Sequence, residues 1–230
     1  MNTFEIKIVA VITMIVDHLG LFFFPNHILF RVIGRLSFPL FAWLLANGAH
    51  HTKNIKLYLI RIFIFASVSQ FPFILANRQI DPSFWYLNVL FTLFLGLLAV
   101  SIIKATTHKF FWFLATFVCV IAANLLRTDY GAAGVLSIIS FFLFYEKTKY
   151  IIISQVLILL ILPLTTFSLE VYLRISLASY YMDSIIEPFG LFSLFFIVMY
   201  NGQEGPKAKY LFYYFYPLQY GLIFFLNLLS

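Results

Sequence analysis

An aspartate and a histidine stand side by side, Asp17-His18, within a long apolar stretch. Ile8 to Val16 carries no charge and one mildly polar residue, Thr13, and the apolar run resumes from Leu19 to Phe24. A charge at the centre of a membrane-crossing helix costs roughly 2.5–3.5 kcal/mol on insertion scales. A carboxylate and an imidazole kept at that cost mark a place where chemistry is expected. Imidazole titrates near neutrality, which suits it to general-base work. Lys7 lies eleven residues before His18. At helical pitch that is roughly 20° from a whole number of turns, so the two share one face about 16 Å apart. The geometry fits a long ligand whose anionic end sits at the membrane surface and whose reactive end lies beside His18. The structural alternative has Lys7 snorkelling to the surface and His18 hydrogen-bonded to a neighbouring helix.

A second group follows in Arg31-Val32-Ile33-Gly34-Arg35-Leu36-Ser37-Phe38-Pro39. Arg31 and Arg35 are four apart and share a helix face. Pro39 has no N–H, so the carbonyl of Arg35 loses its helical partner and a kink is expected beside the arginine. Backbone freed at membrane depth lines a buried or wet cavity. Arg35 can pair with Asp17 or hold an anionic group; Asp17 can instead orient His18. The sequence leaves these open.

Further on, Asn47-Gly48-Ala49-His50-His51-Thr52-Lys53-Asn54, with Lys56 and Arg61 after it, forms a basic loop rich in hydrogen-bonding groups. Its natural partners are the phosphates of a nucleotide-like ligand or anionic lipid headgroups. Adjacent histidines point to different faces of a helix, so no metal site is expected. Weaker polar marks follow: Ser69-Gln70-Phe71-Pro72, a Pro-broken stretch; Asn88 and Thr92 on one face; Asp129-Tyr130-Gly131; and Asn201-Gly202 at a turn. Polar residues at such places also cap helices or hold them together.

The elements that must position these residues follow from composition. Of 230 residues, 63% are hydrophobic and 10% charged, with mean hydropathy +0.97. Soluble domains carry about 25% charged residues, so the chain reads as a polytopic membrane protein of the plasma or inner membrane. The expected fold is an all-α transmembrane bundle in one domain, residues 1–230. About nine spans fit, at 8–24, 28–49, 57–76, 85–103, 110–126, 131–145, 150–168, 185–200 and 210–229. The segment 169–184, with Glu170, Arg174 and Asp183, reads as interfacial or re-entrant. The N-terminal stretch lacks a signal-cleavage pattern and reads as a retained span. The lone Cys119 allows no internal disulfide. The pI near 9.4 reflects loop charges, and no nucleic-acid partner is expected.

Placing the N-terminus in the cytoplasm puts all ten lysine and arginine residues at Lys7, Lys53, Lys56, Arg61, Lys104, Lys109, Lys147, Lys149, Lys207 and Lys209 inside. Arg31, Arg35, Arg78, Arg127 and Arg174 fall outside, together with six of the nine acids. The excess of basic residues on the inner side fixes this orientation.

With these residues in hand, the chain resembles the TraX family. The matching elements are Asp17-His18-Leu19-Gly20, Gly34 to Phe41, Gly48 to Thr52, Ser69 to Pro72, Leu87 to Leu93, Asp129 to Gly131, Tyr200 to Gly202 and Tyr214 to Pro217. The resemblance implies an integral-membrane acetyltransferase that uses acetyl-CoA, the founding member being a pilin N-acetylating protein. Membrane acyltransferases at large are similar in their first span, where a basic residue, ten others and a histidine recur. Lys7 stands where that class has arginine, and Gln219 stands where a family histidine is expected.

On this basis His18 is the expected general base or acetyl carrier, with Asp17 and Arg35 as its catalytic partners. Lys7, His51, Lys53, Lys56, Arg61 and Asn88 make up the expected cofactor-binding set. The acceptor is an amine or hydroxyl of a pilin-like peptide N-terminus or a glycan, with membrane lipids around the protein. The alternative is a small-molecule or lipid transporter with a polar intramembrane site.

Overall fold

The structure is a computed structural model and describes residues 1–162, 185–206 and 209–229. Every regular element among these residues is helical: α1 (Thr3–Phe22), α2 (Ile28–Gly34), α3 (Ser37–His51), α4 (Ile55–Arg78), α5 (Val89–Ala105), α6 (Lys109–Leu125), α7 (Gly131–Leu143), α8 (Thr148–Val156), α9 (Ser193–Val198) and α10 (Lys209–Leu229). A π-helical turn, Leu157–Ile161, extends α8, and a 3-10 turn, Glu187–Phe192, leads into α9. The all-α expectation holds. Ile28–His51 and Ile55–Arg78, each 24 residues, have the length and apolar composition to cross a membrane. The other expected spans are shorter or less apolar; those at 131–145 and 185–200 shrink to a 13-residue helix and a six-residue α-helix behind the 3-10 turn. The 169–184 segment lies outside the described residues.

Two local expectations are refined. The span 28–49 is interrupted rather than bent: α2 ends at Gly34, Arg35 and Leu36 form a turn, and Pro39 sits in the first turn of α3, where its missing N–H costs nothing. The freed Arg35 carbonyl faces Gly190, where an added Cβ would come within 3.1 Å of it. Pro72, by contrast, does not end its helix; α4 runs through it to Arg78.

The chain divides into two compact units, Met1–Leu44 with Leu143–Pro206, and Leu45–Phe142 with Lys207–Ser230. In the first unit, α1 packs on α2, and the 3-10 turn packs on α2, α8 and the π turn. Its α1 buries Ile6, Ala10, Thr13, Met14 and His18, the three-and-four spacing of one helical stripe. Asn2 starts α1 through a reciprocal cap with Glu5. The chain start is pinned to 199–205: Asn201 N–H donates to Met1 O (2.9 Å) and Thr3 N–H to Gln203 O (2.8 Å). Gly202 turns this segment at φ 80, a left-handed conformation that glycine adopts without strain. Trp43 meets Tyr200 edge to face at 4.8 Å.

In the second unit, α4 packs on α5 and α10, and α5 on α6. Phe65 stacks on Tyr213 at 4.8 Å and Phe73 meets Tyr220 at 5.1 Å, so α4 and α10 run parallel. Gly96 of α5 lets Ile138 of α7 approach; a Cβ there would lie 2.4 Å from Ile138 Cδ1. The loop after α4 turns on Asp81, whose carboxylate accepts from the N–H and hydroxyl of Ser83, which holds its carboxyl below the ordinary carboxylate range.

Candidate functional site

The first unit places Asp17 against both arginines. Arg31 Nη1 lies 2.7 Å from Asp17 Oδ1, and Arg35 Nη2 lies 3.9 Å from the same oxygen. The side chains are 16% exposed for Asp17, 20% for Arg31 and 9% for Arg35, so the pairing is largely desolvated. Gly34 makes it possible. A Cβ at Gly34 would sit 2.1 Å from Asp17 Oδ1, so only glycine lets α2 come this close to α1. Gly20 does the same one turn on, where a Cβ would meet Phe30 at 2.4 Å. Ser37 Oγ donates to Ala10 O (3.1 Å), tying the start of α3 to the same stripe of α1.

His18 follows Asp17 on the chain but leaves α1 about 100° away. It is 7% exposed, and its ring meets Phe22 edge to face at 6.5 Å. Of the two options the sequence left open, the geometry therefore takes Asp17 to the arginines. Arg31 is the closer partner and was not among the expected catalytic residues; its four-residue spacing from Arg35 was the available signal. Lys7 lies half-buried two turns before Met14 on the side of α1 that leads to His18, with Glu204 as an electrostatic neighbour.

The second unit holds the other expected residues. His51 ends α3, with Nδ1 2.9 Å from Asn47 O. His50 stacks on Phe142 (4.2 Å) with Nε2 2.9 Å from Phe142 O. Lys104 Nζ donates to Ala49 O (2.7 Å), a cation closing the carbonyl end of α3. Gly48 leaves room for Tyr58, whose hydroxyl would lie 3.1 Å from a Cβ there. The Arg61 guanidinium lies 5.9 Å from the Tyr58 ring centroid and its Nε donates to Leu57 O (3.2 Å). Lys53 and Lys56 are exposed at the start of α4.

Asn88 belongs elsewhere. Fully buried, it caps α5 through Leu90 N–H (3.0 Å) and donates from Nδ2 to Ala66 O and Gln70 Oε1, both at 2.8 Å. Gln70 in turn donates to Tyr86 O (2.8 Å). Ala66 is ten residues beyond Lys56 on α4, about 15 Å along the helix. The structure thus separates Asn88 from Lys53 and Lys56 and gives it a cap and a helix-to-loop tie. The neighbouring motifs join the same network. Leu87 and Thr128 form a parallel bridge, Asp129 N–H donates to Leu87 O (3.0 Å), and Tyr130 N–H to Thr92 Oγ1 (3.4 Å). Three short motifs far apart in sequence are therefore hydrogen-bond partners. Gln219 of α10 is half-buried, its Oε1 enclosed without a hydrogen bond among the described residues. No group of three or more potential metal ligands occurs among the described residues.

An all-helical, strongly apolar chain with an ion-paired carboxylate and a buried histidine on its first helix is a membrane-associated helical protein. The family follows from comparison: the TraX protein family matches residues 3–227, and the chain belongs to it. It is 29% identical, over 96% of its own length and 94% of the relative's, to a probable fimbrial assembly protein FimC, serogroup H1, of Dichelobacter nodosus. It is 27% identical to an uncharacterised protein of Rickettsia prowazekii, over 63% of this chain and 56% of that one. No solved structure matches.

Proposed function

We propose that this protein is a multi-pass inner-membrane acetyltransferase. It moves an acetyl group from cytoplasmic acetyl-CoA to an amine or hydroxyl of a membrane or extracytoplasmic acceptor, and a pilin-like peptide N-terminus is the preferred class. Membership of the TraX family and likeness to a probable fimbrial assembly protein support the pilus connection. The observation that carries the chemistry is a buried His18 one residue along α1 from a carboxylate held by two guanidiniums, the two side chains leaving the helix in different directions. In this reading the N-terminus is cytoplasmic and the chain crosses about nine times. His51, Lys53, Lys56 and Arg61, with Lys7, attract the phosphates of the donor.

His18 accepts the proton from the acceptor amine as its nitrogen attacks the thioester carbonyl. The carbon–sulfur bond breaks, CoA leaves as thiolate and takes up the proton, and the acceptor carries the new amide. Arg35 places positive charge where the oxyanion develops. Asp17 acts through the arginines and is a positioning residue. Transfer through an acetyl-His18 intermediate uses the same groups.

The test offers the protein in nanodiscs acetyl-labelled acetyl-CoA and a peptide with a free N-terminal amine. Mass spectrometry should find the label on that amine with wild type and not with His18→Ala. Label transfer at a normal rate by His18→Ala would overturn the mechanism.

A further inference from the structure

We propose that a cavity of the second unit, at the start of α4 and the end of α5, seats one acyl chain of an anionic phospholipid with its phosphate at Lys56. The cavity is an open groove of about 430 Å3, with Lys56, Ile102, Ala105 and Phe111 of its lining exposed. Ile55, Leu59, Ile102, Ala105 and Phe111 form its walls. Its two hydroxyl residues are already engaged: Ser101 Oγ donates to Leu98 O (2.7 Å), and Thr106 Oγ1 accepts from His108 N–H (3.2 Å). The carbonyl of Thr106 accepts from the Trp112 indole at 2.8 Å. A purine or sugar placed there would lose its hydrogen bonds to water without replacement, whereas a hydrocarbon chain loses nothing. Lys56 is the one charge on the lining.

Charge selects the headgroup. Lys53, Lys56, Lys104 and Lys109 cluster where α4 and α6 begin and α5 ends. The sequence of this unit holds only two acids, Asp81 and Asp129, which follow the far ends of α4 and α6. Within this unit the groove's end is thus basic with no acidic residue of its own beside it, and each lysine near an anionic surface adds to lipid affinity. The inference is independent of acetyl transfer. It narrows the reading above in one respect: Lys56 serves the lipid and leaves Lys53, Arg61 and His51 for the donor.

The experiment is native mass spectrometry of the purified chain from nanodiscs, with phosphatidylglycerol or phosphatidylcholine supplied and no acetyl-CoA present. Wild type should retain one phosphatidylglycerol in preference to phosphatidylcholine. Lys56→Gln should lower that retention about fivefold, and Ala105→Phe, which fills the cavity and keeps the charge, should lower it as much. Lys109→Gln removes the same charge outside the lining and should lower retention clearly less than Lys56→Gln does. Equal retention of both lipids, an equal loss in Lys109→Gln, or displacement of the lipid by millimolar CoA would overturn the proposal. Because no acetyl donor is used in the retention assay, failure of acetyl transfer leaves its result untouched.

Discussion

Asp17 shows how a single carboxylate can tie one helix to the next through two arginines. It draws Arg31 and Arg35 onto one oxygen and fixes α2 against α1. Removing the carboxylate leaves part-buried guanidiniums uncompensated, a loss below the roughly 3–5 kcal/mol of a fully buried pair and above the about 1 kcal/mol of an exposed one. Asp17→Asn is therefore expected to lower the detergent melting temperature sharply, measured by intrinsic-fluorescence unfolding, and to abolish transfer. Gly34→Ala should do the same by a different route, since its methyl group would occupy the space of Asp17 Oδ1. If Gly34→Ala unfolds at the wild-type temperature, the close approach is not essential. The sequence alone made Asp17, His18 and both arginines legible, because charge inside an apolar run is costly. It left the pairing open, because adjacent residues on a helix diverge by about 100° and the direction of each depends on what packs there. The small residues Gly20 and Gly34 resolve it, and their meaning appears only once the two helices are side by side.

At the scale of elements, the loops entering α5 and α7 are the revealing ones. Asn88 combines two jobs, and substitutions can separate them. Asn88→Asp keeps the acceptor that caps α5 and removes the donors to Ala66 and Gln70. Asn88→Ala removes both and leaves buried groups unsatisfied, each costing about 1–3 kcal/mol. Hydrogen exchange at the start of α5 should rise strongly in Asn88→Ala and less in Asn88→Asp; equal exchange in both would show that the cap contributes nothing. Helix identity was readable from composition, and α1, α4, α5, α6 and α10 fall close to the expected ranges. The kink expected beside Arg35 is there as a full break between α2 and α3, whereas α4 runs on through Pro72, where a break was expected. A proline at the start of a helix replaces an N–H that had no partner, and one inside a helix is tolerated when packing supplies the missing bonds. Neither outcome is encoded locally. A buried amide such as Asn88 looks alike in sequence whether it meets a ligand or a neighbouring carbonyl.

For the whole molecule, charge is the organising quantity. Lysines gather where α4 and α6 begin, and acids follow where they end. An orientation with the N-terminus in the cytoplasm predicts that a cysteine at Lys53 is labelled only from the cytoplasmic side, and one at Asp81 only from outside. Cys119 is buried at 3% exposure and gives a silent background for that labelling. Labelling of both positions from the same side would reject the topology. Composition made the membrane class legible, and the family motifs spread along the chain made the family legible. The division into two compact units was not, because nothing in the pattern of apolar residues marks a boundary inside α3.

The central claim is that His18 is the proton acceptor of an acetyl-CoA-dependent transfer. Its most direct test is CoA release over time by the purified protein with a peptide bearing a free N-terminal amine, wild type against His18→Ala, with acetyl-CoA binding measured alongside. The account predicts saturable binding by both proteins and CoA release by wild type alone. Equal release by both, or no binding at millimolar acetyl-CoA, would contradict it.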